Sequence, residues 1–148
     1  MNSTINIKNK RARYEYEILD KYTAGMVLKG SEIKSIRQSK ASITEGYCAF
    51  EKDELYILNM HIQEYEKGGY TNHAPTRKRK LLLQRAELRK IQKKMKDVGM
   101  TIVPLRLYIS EKGYAKLDIA IGRGKKLYDK REDLKQKDVK RSLDRLTR

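Results

Sequence analysis

The sequence predicts a mainly β protein with accessory helices, folded as a six-stranded antiparallel barrel and followed by a flexible basic tail. Six short runs have the alternation or β-branched content of strands, and two helical patterns interrupt them. Because helices do not alternate with strands, the pattern favours an antiparallel sheet over a parallel one. A closed barrel protects the edges of so few strands with the fewest residues.

The first half of the chain holds four of the predicted strands and a short helix. Tyr14, Tyr16 and Ile18 alternate with acidic residues, as in a strand with one buried face. Ser31 is placed to cap a helix over about residues 31–40, because a serine hydroxyl accepts from the first free backbone amides of a helix. The other strands of this half are the runs 24–29, 46–50 and 55–60.

A basic helix and two strands follow. Leu81, Leu88 and Met95 recur every seven residues with basic residues off their stripe, and Val98 continues that stripe. This pattern predicts a helix over residues 77–98. The last two strands are the runs 101–109 and 114–121. A small antiparallel barrel with inserted helices is of the oligonucleotide-binding type.

The 148 residues are too few for two independent cores. We therefore predict one barrel domain at residues 9–121, preceded by an N-terminal arm at residues 1–8. Residues 122–148 form a basic tail with unevenly spaced apolar residues. Because helices of this length are marginal alone in water, we expect the tail to be disordered when free and helical on an RNA partner, the ribosome.

The net charge of +16 is concentrated in two segments. Residues 77–96 hold ten basic side chains and one acidic side chain, and residues 122–148 hold eleven and five. This clustering favours a polyanionic partner, because closely spaced cations release counterions from a run of phosphates. The alternative is a solvated helix face with a solubilising tail, but solvated faces usually mix the two signs.

Several function classes find no support in the sequence. There is no apolar run long enough for a membrane span or an export signal, so we expect a cytoplasmic protein without membrane contact. The single Cys48 is interpreted as a core residue, and no residue pattern predicts a metal or cofactor. Asp129, Glu132 and Asp133 are carboxylates that together suit Mg²⁺, but they lie among basic residues and are better explained by local ion pairs. We expect no enzymatic activity.

Tyrosines supply the aromatic surface of this chain, which has ten of them. Tyr47, Tyr56 and Tyr108 lie in predicted strands and are expected to pack there. Tyr16 and Tyr128 lie beside basic residues and are better candidates for stacking on bases.

Four motifs occur in order along the chain and together resemble one family. They are residues 9–16 (NKRARYEY), 24–37 (AGMVLKGSEIKSIR), 75–83 (PTRKRKLLL) and 124–131 (GKKLYDKR). The chain resembles the small protein B (SmpB) family, the bacterial SsrA-binding proteins. The resemblance implies a monomer that binds the tRNA-like domain of transfer-messenger RNA, one copy per RNA. It further implies delivery with elongation factor Tu to stalled ribosomes for trans-translation, the tail entering the empty mRNA channel and decoding centre.

The resemblance also implies which residues contact RNA. On the barrel these are Asn9, Lys10, Arg11, Tyr16, Gly25, Glu32, Lys34, Leu82 and Gln84. The ribosome-acting residues of the tail are Gly124, Lys125, Lys126, Tyr128, Asp129, Lys130 and Arg131. Thr23 and Gln84 depart from the family pattern, which usually has Glu at the first position and His or Asn at the second. The alternative interpretation is a ribosomal protein or a general translation-factor barrel.

Overall fold

The computed structural model of the chain describes residues 5–69 and 72–124. Within these residues it contains nine strands and three helices. The strands are β1 (Asn6–Lys8), β2 (Tyr16–Met26), β3 (Ala41–Ser42), β4 (Tyr47–Glu51), β5 (Glu54–Leu58), β6 (His61–Ile62), β7 (Arg79–Leu82), β8 (Met100–Ile109) and β9 (Ala115–Gly124). The helices are α1 (Lys10–Glu15), α2 (Gly30–Arg37) and α3 (Arg85–Lys94).

Six strands of the described chain close into an antiparallel barrel, which confirms the predicted fold class. Around the ring the order is β8, β4, β5, β7, β2, β9 and then β8 again. The pairing of β2 with β9 shifts register between Ile18 and Asp20, and the pairing of β8 with β9 shifts between Pro104 and Arg106. Such bulges bend strands, as closure of a small barrel requires.

Aliphatic side chains fill the barrel. The fully buried strand residues include Leu55, Ile57, Leu107, Leu117, Ile119 and Ile121. Ile36 of α2 and Ile91 of α3 are also fully buried and belong to the same cluster, so both helices pack on the barrel core. Cys48 is buried among these residues, as predicted, and burial raises the pKa of its thiol.

The strand predicted from Tyr14 onward and the run 24–29 contribute to one strand, β2, which ends at Met26, and Tyr14 itself belongs to α1. The first predicted helix is α2, but the residue before its first turn is Lys29, not Ser31. The Lys29 backbone N–H donates to the Glu32 carboxylate at 2.7 Å. The Ser31 hydroxyl instead lies 2.8 Å from Nδ1 of His73.

The predicted helix over residues 77–98 is wrong at its start, because residues 79–82 are strand β7. Arg79 and Leu81 are buried while Lys80 and Leu82 are more exposed, which is the period of two of a strand. An arginine on the inner face and a leucine on the outer face conceal this period in the sequence. The helix proper, α3, ends at Lys94.

The barrel domain extends beyond the predicted boundaries at residues 9 and 121. Ile5 is buried in the core, and β1, expected as part of an arm, pairs with β8. At the other end β9 continues to Gly124, which lies opposite Tyr16 in β2. The predicted tail from residue 125 onward lies outside the described residues.

Candidate nucleic-acid interface

The residues of α1 line two surface grooves. Asn9, immediately before the helix, is 7% exposed. Its Nδ2 donates to the Pro104 carbonyl at 2.9 Å, and its backbone N–H donates to the Leu105 carbonyl at 2.8 Å. These bonds fix α1 at the bulge of β8. Lys10 and Arg13, three residues apart, then line one groove, while other α1 residues line the second.

The larger groove, here called the cationic groove, has a volume of about 820 Å³. Five of its lining side chains are basic, namely Lys8, Lys10, Arg13, Lys21 and Arg106, against two carboxylates, Glu87 and Asp118. The Thr23 hydroxyl donates to Asp118 at 2.9 Å, and the other carboxylate oxygen of Asp118 lies 3.5 Å from Arg106. Thr23 and Arg106 therefore hold Asp118 between them in a groove that is basic overall.

The outer face of β2 continues from the cationic groove to a small apolar patch. Because side chains alternate along a strand, Lys21, Thr23 and Gly25 share this face. Gly25 lies opposite the half-exposed Leu82 of β7. A Cβ on Gly25 would lie 3.4 Å from Cβ of Leu82, so glycine lets the leucine cross close over β2. Gln84 follows as the residue before α3. The structure thus brings Gly25, Leu82 and Gln84 together near the cationic groove.

Among the described residues, some cations of the basic segment at residues 77–96 have a carboxylate partner and others have none. The pairs are Arg77 and Arg79 with Glu32, Lys78 with Glu51, Lys80 with Glu54 and Lys94 with Asp20. Within residues 5–69 and 72–124, no carboxylate oxygen lies within 4.0 Å of Arg85, Arg89, Lys90, Lys93 or Lys96. The charge available to a partner is therefore concentrated on and just after α3, not over the whole segment.

Glu32 does not lie on the RNA-facing surface that the resemblance implies, because its side chain is fully buried. One carboxylate oxygen accepts from Arg79 at 2.5 Å and the other from Arg77 at 2.6 Å. Burial alone would raise the pKa of Glu32, but the hydrogen bonds from Arg77, the Lys29 backbone and Arg79 outweigh it and lower that pKa. Burial lowers the pKa of Arg79, while the hydrogen bond to Glu32 and the charge of that carboxylate oppose the change.

This buried network ties β7 to α2 and to the preceding loop. Arg79 also donates to the carbonyls of Met60 at 2.8 Å and Pro75 at 3.1 Å. Arg77, which also binds the Glu32 carboxylate, is partly exposed at the surface. Glu32 therefore holds Arg77 in place at the edge of the buried network. Lys34 lies over the Tyr65 ring, 5.5 Å from its centre, and lines neither groove.

The second groove, here called the aromatic groove, has a volume of about 370 Å³. Tyr16 and Tyr47 line it, together with Arg11 and Glu45, whose side chains form an ion pair at 2.7 Å. The Tyr16 ring lies against β9, where a Cβ on Gly122 would come within 3.0 Å of Cβ of Tyr16. A side chain at that position would require Tyr16 to shift by a few tenths of an ångström. The glycine thus permits the close approach of Tyr16 to β9.

The sequence did not identify several residues of these grooves. Tyr47 was expected to pack in its strand, yet it is 47% exposed and lines the aromatic groove. Arg106 and Asp118 meet through the register of β8 with β9, which residue spacing does not reveal. Of the predicted tail residues, Gly124 closes the pairing with Tyr16. The other six, Lys125, Lys126, Tyr128, Asp129, Lys130 and Arg131, lie outside the described residues.

The described residues offer neither a metal site nor a membrane-spanning helix. Within the described part of the chain, no group of three or more His, Cys, Asp or Glu residues is arranged to hold a metal ion. No helix among the described residues is long and apolar enough to cross a membrane.

Comparisons with known proteins agree on one family. The profile described as "SmpB protein" matches residues 6–148. The SsrA-binding protein of Christiangramia forsetii is 54% identical over 146 residues, which covers 99% of this chain and 93% of the relative. The SsrA-binding protein of Thermus thermophilus is 49% identical, covering 95% and 97%. A solved chain from "tmRNA-SmpB: a journey to the center of the bacterial ribosome" has a TM-score of 0.71 and 48% identity, covering 94% of this chain and 97% of that chain.

Proposed function

Because the chain belongs to the SmpB family, we propose that it binds the tRNA-like domain of transfer-messenger RNA and delivers it to stalled ribosomes for trans-translation. The observation that carries this proposal is the cationic groove, which continues over the outer face of β2 to Gly25 and Leu82. Its basic side chains suit an RNA backbone, and the exposed leucine suits an apolar base or sugar face.

The barrel residues have different roles in this proposal. Lys10, Arg13 and Lys21 meet phosphates, while Asn9 anchors α1 and Glu32 positions Arg77. The five unpaired cations of the α3 segment extend the electrostatic attraction. The protein acts by binding alone, in the cytoplasm, as a monomer with one copy per RNA and together with elongation factor Tu.

The tail has a second RNA target in this proposal. Residues from Gly124 to Arg131 engage the mRNA channel and decoding centre, with Tyr128 stacking on a ribosomal base and Lys130 and Arg131 contacting phosphates. The division of the net charge between the barrel surface and residues 122–148 supports two separate RNA contacts.

A binding measurement tests the barrel part of the proposal. At fixed physiological salt, the protein is expected to bind the tRNA-like domain more tightly than an unrelated structured RNA of equal length. Lys21→Ala is expected to weaken this binding and to reduce the log–log salt slope by about one, because one phosphate contact is lost. Lys112→Ala, which changes an exposed lysine outside both grooves, is the matched control.

Two results would contradict the proposal. Equal affinity for both RNAs would indicate a general cationic surface. Stoichiometric retention on washed, idle ribosomes would indicate a structural ribosomal protein instead.

A further inference from the structure

The aromatic groove differs in charge from the cationic groove beside it. Its charged lining side chains are Arg11, Glu15 and Glu45, so the carboxylates outnumber the single guanidinium. Arg11 already binds both, at 2.7 Å to Glu45 and 3.6 Å to Glu15. The net negative charge of this groove would repel a phosphate. It would not repel a neutral group, whose hydrogen-bond donors could bind the carboxylates.

Tyr16 and Tyr47 give this groove flat apolar surfaces. Tyr16 is held against the glycines of β9, and Tyr47 is 47% exposed although it lies in a barrel strand. The lining also includes Ala12 and Gly46, whose side-chain positions face the core, so the two rings supply the aromatic surface of the groove. A volume of about 370 Å³ is at the small end of ligand pockets, which suits one nucleoside rather than a stretch of chain.

Hydrogen-bond acceptors lie at the same groove. Asn9 lines both grooves, but its Oδ1, which has no hydrogen-bond partner among the described residues, is buried and offers no accessible acceptor. Glu45 offers a carboxylate that is mostly exposed and fixed on one side by Arg11. A carboxylate accepts two parallel N–H bonds, so Glu45 is the acceptor that this groove presents.

We propose that the aromatic groove binds one unstacked nucleobase of an RNA, with a preference for guanine. Guanine presents two adjacent donors, N1–H and the 2-amino group, on its Watson–Crick edge, and these match the Glu45 carboxylate. Uracil presents one N–H between two carbonyl oxygens, which face the carboxylates unfavourably. This inference rests on the proposed function, since it assigns a base-reading pocket to the same RNA-binding protein.

The test measures backbone amide shifts by NMR in the full-length ¹⁵N-labelled protein as each of the four nucleoside 5′-monophosphates is added. Because the four nucleotides carry the same phosphate, differences in their affinity are due to the base. GMP is expected to shift the backbone amides of Gly46, Tyr47 and α1, with an apparent affinity at least fivefold above that of UMP. Glu45→Gln is expected to reduce this ratio at least threefold, because the second acceptor oxygen becomes an amide donor. Tyr47→Leu is expected to weaken binding of all four nucleotides.

Glu111→Gln and Tyr114→Leu are the matched controls, since they change an exposed glutamate and an exposed tyrosine outside the groove. A dispersed amide spectrum for each variant shows that it is folded. Equal shifts from all four nucleotides, or shifts confined to Lys10, Lys21 and Arg106, would overturn the proposal. Shifts with an arginine-rich peptide but none with GMP would overturn it in favour of a protein partner.

Affinity for the tRNA-like RNA, measured on the same samples, separates this proposal from the proposed function. If the wild type prefers that RNA but shows no base preference, the pocket is wrong and the function stands. If the wild type shows no RNA preference, the proposed function fails, whatever GMP does.

Discussion

Glu32 and Arg79 form an ion pair in which neither side chain is exposed. Removing two charges from water is costly, and their attraction offsets that cost only when further hydrogen bonds satisfy both groups. Here the Lys29 backbone and Arg77 complete the carboxylate, and three backbone carbonyls around Arg79 complete the guanidinium. The pair is therefore sensitive to the loss of either partner, whether or not it adds net stability.

Replacing Glu32 by Gln is expected to reduce the free energy of unfolding by about 3–5 kcal/mol at pH 7, because it leaves Arg79 buried without a counter-charge. Denaturant unfolding measures the change. The half-exposed Glu54, paired with Lys80 at 2.9 Å, provides the control Glu54→Gln, for which little change is expected.

The loss of stability in Glu32→Gln is expected to depend on pH. Since the folded-state pKa of Glu32 is lowered, the unfolded state takes up a proton first as the pH falls. The stabilisation by the Glu32 charge is thus complete above the ordinary pKa of about 4.3 and is lost as the pH falls from there through the folded-state value. The difference between wild type and Glu32→Gln should narrow in that range. A difference that stays constant to pH 3 would show that charge is not the cause.

Helix α3 packs on the barrel core through one apolar face. Its inner face places Ile91 in the core with no exposed surface, while Leu88 and Met95 are partly buried beside it. Val98 was predicted on the same stripe, but it lies after the helix and is 97% exposed. The stripe therefore ends one turn earlier than the sequence pattern indicates.

Ile91→Ala is expected to lower the free energy of unfolding by about 2–5 kcal/mol, because it removes buried methyl groups and leaves a cavity. Val98→Ala is the matched control and should change it by less than about 0.5 kcal/mol. Thermal or denaturant unfolding of both variants provides the measurement. Similar losses in the two would mean that Val98 packs against the core after all.

The elements most readily predicted were those whose apolar pattern is unbroken. Strands β8 and β9 follow clear β-branched runs and were predicted within a few residues of their observed starts. Strand β7 was hidden because Arg79 occupies an inward position through its ion pair with Glu32. The burial of Glu32 could not be predicted either, because a single sequence does not reveal which distant arginine will neutralise a carboxylate.

The candidate site was predictable to a similar extent. The motifs include Lys10, which lines the cationic groove, and Gly25 and Leu82, which lie opposite each other in β2 and β7. They could not place Asp118 or Tyr47, because each joins a groove through strand pairing across the barrel. Long-range register, not local composition, decides these contacts.

The last barrel strand ends at Gly124, three residues after the predicted end of the barrel at Ile121. The last residues of β9 pair with the start of β2 on one side and with Met100 and Thr101 of β8 on the other. They also provide the surface on which Tyr16 lies. The boundary between barrel and tail therefore coincides with one wall of the aromatic groove.

A chain truncated after Gly124 is expected to retain its unfolding free energy and most of its affinity for the tRNA-like RNA, while peptide tagging on stalled ribosomes is lost. Truncation after Ile121 is expected to cost about 1–4 kcal/mol in addition, because several backbone hydrogen bonds are removed at about 0.5–1.5 kcal/mol each. Unfolding, RNA binding and a tagging assay compare the two. Loss of RNA binding in the longer truncation product would contradict separate roles for barrel and tail.

The closure of the ring has a consequence for how the chain folds. The first strand pairs with residues about a hundred positions later, and the ring is complete only when β9 joins β2 to β8. Contacts this distant in sequence form slowly, because the intervening loop must be ordered first. During its own synthesis the chain can therefore form helices and the β4–β5 hairpin early, but it cannot close the barrel until Gly124 has been made.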